Sequence, residues 1–91
     1  MPYIEPEWRP NLNKTSDDLL KEIKQLCKQY HCTHDGLLNY FITRTIKRAY
    51  EKKYTSYNAA IGMLECTKLE FYAMDVRPYE DVKKLKNGPV E

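Results

Sequence analysis

The stretch that decides the fold is LECTKLEFY, Leu64 to Tyr72, inside the longer run SYNAAIGMLECTKLEFYAMDV that spans Ser56 to Val76. At 100° per residue, Tyr57, Ile61, Leu64, Leu69, Tyr72 and Val76 fall on one broad face of a helix. Ala59, Ala60, Met63, Cys66, Phe71 and Met74 cover most of the remainder. A helix that is apolar all round is a buried helix. This one is expected from about Tyr57 to Val76, ending before Pro78 because a residue preceding proline disfavours the helical conformation. It asks for more cover than two short partner helices can provide.

Three charges interrupt that apolar surface. Glu65 and Lys68 lie about 60° apart on the broad face, among Ile61, Leu64 and Tyr72. An unpaired buried carboxylate is costly, so Glu65 requires a partner. Lys68, Arg44 and the Tyr40 hydroxyl are the candidates, and the pair would fix helix register or form a polar patch in a pocket or dimer seam. Glu70 projects nearly opposite to Lys68 and is free to reach water.

Working outward, Thr55 or Ser56 is the expected cap of this third helix, after a short YTSY link. The second helix is expected from Gly36 to about Lys53, capped by Asp35, with Leu38, Phe41, Ile42, Thr45, Ile46 and Ala49 as its core stripe. Asn39 lies beside that stripe, placed to hydrogen-bond a partner helix or the arm. HCTHDG separates it from a first helix that Thr15 or Ser16 can cap, with Asp17 and Asp18 favourable at its positive end. Leu19, Leu20, Ile23, Leu26, Cys27 and Tyr30 make the first helix's apolar stripe.

Residues 1–14 read as an extended arm, because Pro2, Pro6 and Pro10 fix φ and remove donors. The arm carries Tyr3, Ile4 and Trp8, which need a surface to dock on. At the other end Pro78 opens a short last helix with Glu80 and Asp81 in its first turn, and Asn87-Gly88 ends it. The expected fold is therefore all-α: a three-helix bundle with an extended, Pro-containing N-terminal arm and a short C-terminal helix, residues 15–91 forming one helical domain.

Composition bounds the rest. The chain has 91 residues, too few for a second core. A domain of this size buries only about 60–65% of its unfolded surface, so a partner subunit would help it. Apolar and charged contents of 42% and 31% are those of a globular protein and exclude a disordered chain. Eight tyrosines against one tryptophan and two phenylalanines suit half-buried surfaces and interfaces. A net charge of +2 does not by itself indicate nucleic acid. No run approaches the roughly 18–20 apolar residues of a membrane span. The N-terminus lacks the basic-then-apolar layout of a signal peptide, and three cysteines without a framework spacing fit reduced thiols, so a cytoplasmic location is expected.

MPYI at the start, DGLLNYFITR in the second helix, AIGMLECTKLEFY in the third and PYEDVKKLKNG near the end resemble a family of short, uncharacterised phage and bacterial proteins. The resemblance implies one small domain of viral or bacterial origin and carries no assigned activity. CKQYHCTHD departs from the family pattern, which sets Cys27, His31, Cys32 and His34 apart from any shared role.

Those four residues also lack a recognised zinc spacing, and four ligands would have to converge tetrahedrally around the adjacent His31 and Cys32. No metal and no cofactor is expected. Cys66 sits among apolar residues without a neighbouring base, and the chain has no Gly-rich phosphate loop, so an enzyme is not expected. The second helix does present a basic stripe, Tyr40, Arg44, Lys47, Arg48 and Lys52, suited to phosphates with tyrosine available for stacking. Two functions are carried forward. One is a small protein-interaction or host-modulating module that acts as a homo-oligomer through the third helix and the tyrosines. The other is a nucleic-acid or nucleotide binder using the basic stripe. The Asn39, Glu65, Lys68 and Tyr72 side chains are the expected buried polar or interface groups.

Overall fold

The computed structural model describes residues 2–91, so Met1 of the MPYI start lies outside the described residues. The fold is all-α, with three main helices, an N-terminal arm, a short C-terminal helix and, among the described residues, no strand. Helix α1 runs Arg9–Tyr30, α2 His34–Ala49, α3 Tyr54–Phe71 and α4 Arg77–Asn87, and a π turn, Tyr72–Val76, joins the last two.

Several boundaries differ from those expected. The arm reaches only to Glu5 and is itself turned, the Ile4 N–H donating to the Pro2 carbonyl at 3.1 Å; a 3-10 turn occupies Pro6–Trp8, and α1 starts at Arg9 instead of Thr15. Pro10 does not prevent this, because in the first turn of a helix the missing N–H has no intrahelical acceptor to lose. Thr15 consequently sits inside the helix and returns its hydroxyl to the Asn11 carbonyl at 3.0 Å, while Lys14 pairs with Asp18 at 2.8 Å. The helix ends at His31 in the left-handed conformation, φ 54°.

Helix α2 likewise begins two residues earlier than expected, with Thr33 at the cap position in extended conformation. Asp35 falls in the first turn, where a carboxylate still meets the positive end of the dipole. The helix stops at Ala49 instead of Lys53: Tyr50 is extended (φ −109°, ψ 140°), and the link is residues 50–53. Helix α3 then starts at once at Tyr54, with Thr55 and Ser56 inside its first turn and Lys53, also extended, preceding it.

The break expected before Pro78 does not occur. Arg77 is helical (φ −60°, ψ −48°), and the chain stays helical from Tyr54 to Asn87. The Arg77 N–H reaches back to the Tyr72 carbonyl, one residue further than in an α-helix. Such a widened turn makes room for the proline ring, which would otherwise press on the carbonyl four residues before it. The rod ends at Gly88, φ 87°, a conformation that suits a residue without Cβ.

Packing starts from the α1–α2 seam. Ile23 is 4% exposed, with Leu19, Leu26 and Cys27 of α1 and Leu37 and Leu38 of α2 half-buried around that level. On the α2–α3 side, Ala60 is buried and Ile46, Tyr50 and Leu64 are half-buried. Among the described residues Ile23 and Ala60 are the two that are buried, and neither is completely covered. The single chain is therefore an open arrangement. Its radius of gyration is 17.0 Å, against about 12 Å for a compact domain of this length.

Candidate interaction surface

The accessible surface of the chain is 8500 Å². A compact monomer of 10.9 kDa exposes about 5,600 Å². The surplus is concentrated where the sequence is most apolar. Tyr57, Ile61, Leu69, Phe71, Tyr72 and Met74 of the α3–α4 rod are all exposed. The cover expected for the third helix is thus absent within one chain, because α2 lies along one side of α3 only.

The N-terminal arm supplies a little. Arg9 clamps its start by donating from Nε and Nη2 to the Ile4 carbonyl at 3.3 and 3.1 Å. The Tyr3 hydroxyl donates to the Glu70 carboxylate and lies 3.3 Å from the Met74 sulfur. Glu70, expected to reach water, is instead the charge on this helix with a long-range partner. The arm's need for a surface follows from Tyr3, Ile4 and Trp8, but nothing local in the sequence pairs Tyr3 with Glu70.

This contact raises the pKa of the Tyr3 phenol, first through the hydrogen bond to Glu70, then through burial and the carboxylate's charge. The native state therefore holds the phenol proton more tightly than the unfolded chain does. Arm docking contributes its stability below about pH 10 and loses it as the pH climbs through the raised value. A tyrosinate absorbance titration should show one phenol ionising above the ordinary tyrosine range, and Tyr3→Phe should remove it. Identical titrations for the two proteins would show that the arm is undocked in solution.

Glu65 has one of its three candidate partners: Lys68 Nζ lies 2.9 Å from its Oε1. The pair is not buried, however, at 53% exposure for Glu65 and 68% for Lys68. Asn39 is also exposed and accepts a hydrogen bond from the Thr43 hydroxyl at 3.1 Å, one turn along the same helix. Tyr72 is exposed as well. The burial expected of these four is therefore missing in the single chain: Asn39 lies exposed on α2, and Glu65, Lys68 and Tyr72 lie exposed along the α3 rod.

Beside that face lies an apolar cleft of about 280 Å³ between the C-terminal half of α2 and the N-terminal half of α3. Ile46, Tyr50, Ala60 and Leu64 form its walls, Tyr57 and Ile61 stand at its α3 edge, and Lys47 and Lys52 sit on the opposite rim. The expected basic stripe runs past it, on α2 as far as Arg48, with Lys52 beyond the helix end in the link. Tyr40, Arg44, Lys47, Arg48 and Lys52 are all exposed, and among the described residues none of the four cations is in an ion pair. Glu51, which interrupts the stripe, turns to Lys53 at 3.2 Å.

The α1–α2 corner is chemically quieter. Burial pushes the Cys27 thiol up, with a hydrogen bond involving Cys32 as the second cause. A raised pKa keeps a thiol from acting as a nucleophile near neutrality. Among the described residues no three His, Cys, Asp or Glu side chains gather as metal ligands. At the far end Arg77 and Asp81 pair at 2.7 Å, which raises the guanidinium pKa further, through the hydrogen bond first.

A family model described as "Domain of unknown function (DUF6899)" matches residues 1–90, nearly the whole chain. The chain belongs to the DUF6899 family. No curated protein matches it. No solved structure matches it. Among the described residues of this DUF6899 domain, no helix is long and apolar enough to cross a membrane.

Proposed function

We propose that this DUF6899 domain is a small non-enzymatic binding protein, a protein-interaction or host-modulating module that works as a homo-oligomer in the cytoplasm. The motif resemblance supports a phage or bacterial origin, in which case the cytoplasm is the host's. One observation carries the reading: the chain exposes far more surface than its mass requires, and α3 contributes much of it in apolar side chains. Large contiguous apolar patches on a folded chain mark surfaces that meet another protein. Static light scattering at tens of micromolar protein should give at least twice the chain mass of 10.9 kDa. A monomer at that concentration would overturn the homo-oligomer.

A second reading rests on the unpaired basic stripe of α2. If it meets phosphates, affinity for a short DNA or RNA oligonucleotide should fall steeply with salt. Arg44→Ala combined with Arg48→Ala should then reduce affinity by about 10-fold or more and flatten the salt slope. Binding by fluorescence anisotropy that is weak at physiological salt and indifferent to both substitutions would remove this reading.

A further inference from the structure

We propose that the α2–α3 cleft is the seat of a second copy of this chain, entered by the partner's Ile61 in an antiparallel pairing of the two α3 helices. The inference rests on the homo-oligomeric reading above and adds to it the face, the direction and the contacts.

Area sets the kind of partner. Each chain exposes roughly 2,900 Å² beyond a compact monomer of its mass. Covering that on two copies removes surface on the scale of an obligate homodimer, which buries about 2,000–5,000 Å² or more. The arm already braces the C-terminal part of the rod, through Tyr3 on Glu70 and Met74. The N-terminal half of α3 has no such brace. Ile61, which shares the edge of the cleft with Tyr57, is 66% exposed there.

Two-fold symmetry then restricts the geometry. A closed dimer uses one patch twice, so that patch must carry both a projection and a recess. Ile61 is the projection and the cleft beside it the recess. With the helices antiparallel and crossing at Ile61, a residue four positions on meets one four positions back. Glu65 therefore lies opposite the partner's Tyr57, beside the rim that Lys47 and Lys52 form.

Within one chain Glu65 has only the half-exposed contact to Lys68, and neither rim lysine is in an ion pair among the described residues. Antiparallel pairing brings the carboxylate to the unpaired cations. A parallel pairing would set lysine rim against lysine rim and Glu65 against Glu65, and like charges oppose association. Charge selects the direction, and apolar shape supplies the site.

The test is light scattering with circular dichroism on the full chain. Ile61→Asp is expected to weaken the dimer by about 100-fold or more, as for a buried central residue, and to yield monomers of similar helicity. Leu85→Asp on α4 should leave the dimer intact. Lys52→Glu and Glu65→Lys should each weaken it, and the double variant should recover much of the loss. In a background with Cys27, Cys32 and Cys66 changed to serine, Ile61→Cys should form a 61–61 disulfide in an oxidised glutathione buffer. The crosslink decides the matter if Ile61→Asp fails to fold.

An oligomer that tolerates Ile61→Asp and forms no such crosslink overturns this interface while leaving the homo-oligomer reading standing. A helical monomer at every concentration overturns both. A monomer that binds an oligonucleotide through Lys47 and Lys52 assigns the surface to nucleic acid instead.

Discussion

Ile23→Ala is expected to lower the unfolding free energy by about 2–4 kcal/mol at fixed protein concentration. The side chain is 4% exposed, and Leu19, Leu26 and Cys27 on its own helix and Leu37 and Leu38 of α2 form the half-buried layer around it. Truncation leaves a cavity in the α1–α2 seam. With so few covered residues the neighbours have little to offer by relaxing elsewhere. A loss of this size is a large fraction of the total for a small domain. Urea unfolding followed by circular dichroism measures it, and a loss below about 0.5 kcal/mol, typical of surface positions, would show that the α1–α2 seam is not where stability resides.

The midpoint of thermal unfolding is expected to rise with protein concentration. A chain that leaves Ile61, Leu69 and Phe71 in water gains much of its apolar burial on association. Unfolding is then coupled to dissociation. For a dimer each tenfold rise in concentration adds about 1.4 kcal/mol to the folded side. In a cooperative unit of two chains this moves the midpoint by roughly 3–6 °C. Calorimetry over two decades of concentration makes the shift unmistakable. A flat midpoint would mean that the open single chain is stable alone, and the proposed interface would go with it.

The two experiments probe different layers. Ile23 belongs to the intrachain seam, while the concentration dependence reports the surface that the chain does not cover. Loss of the α2–α3 contact falls between them, since Ala60 is buried by α2 but stands at the wall of the open cleft.

Much of this was legible in the residues. Helical periodicity placed all three main helices and the short last one, because an amphipathic or apolar repeat near 3.6 residues is a local property. The α1 stripe was correct at Leu19, Ile23, Leu26 and Cys27, which are the half-buried or buried positions. Boundaries were poorer, and the reasons are specific. Pro10 is expected in an extended arm, yet it lies in the first turn of α1, where proline costs little; Pro78 opens the last helix as expected, but the helix before it does not stop. The π turn before Pro78 carried no sequence mark, since it is the chain's accommodation of that ring by the helix preceding it.

The candidate surface divides the same way. That helix α3 is too apolar for its surroundings follows from its residues alone, whereas the need of Glu65 for a partner rests on a burial that the single chain does not supply. Its choice of Lys68 was among the alternatives because i, i+3 neighbours always share a face. The docking of Tyr3 on Glu70 was not, because 67 positions separate them and only folding brings them together. The cleft is likewise invisible locally: Ile46 and Tyr50 meet Ala60 and Leu64 only through the turn at residues 50–53.

The amino-acid sequence by itself determined an all-α chain with one helix carrying more apolar surface than it can hide, since periodicity and hydropathy are read residue by residue. Which side of that helix α2 covers, where the arm lands, and which cleft stays open were decided by tertiary structure. These depend on the path of the links and on distances between residues far apart in the chain, and no local pattern encodes them. The charges of LECTKLEFY show the division in miniature: Glu65 and Lys68 pair by helical geometry, and Glu70 finds its partner across the fold.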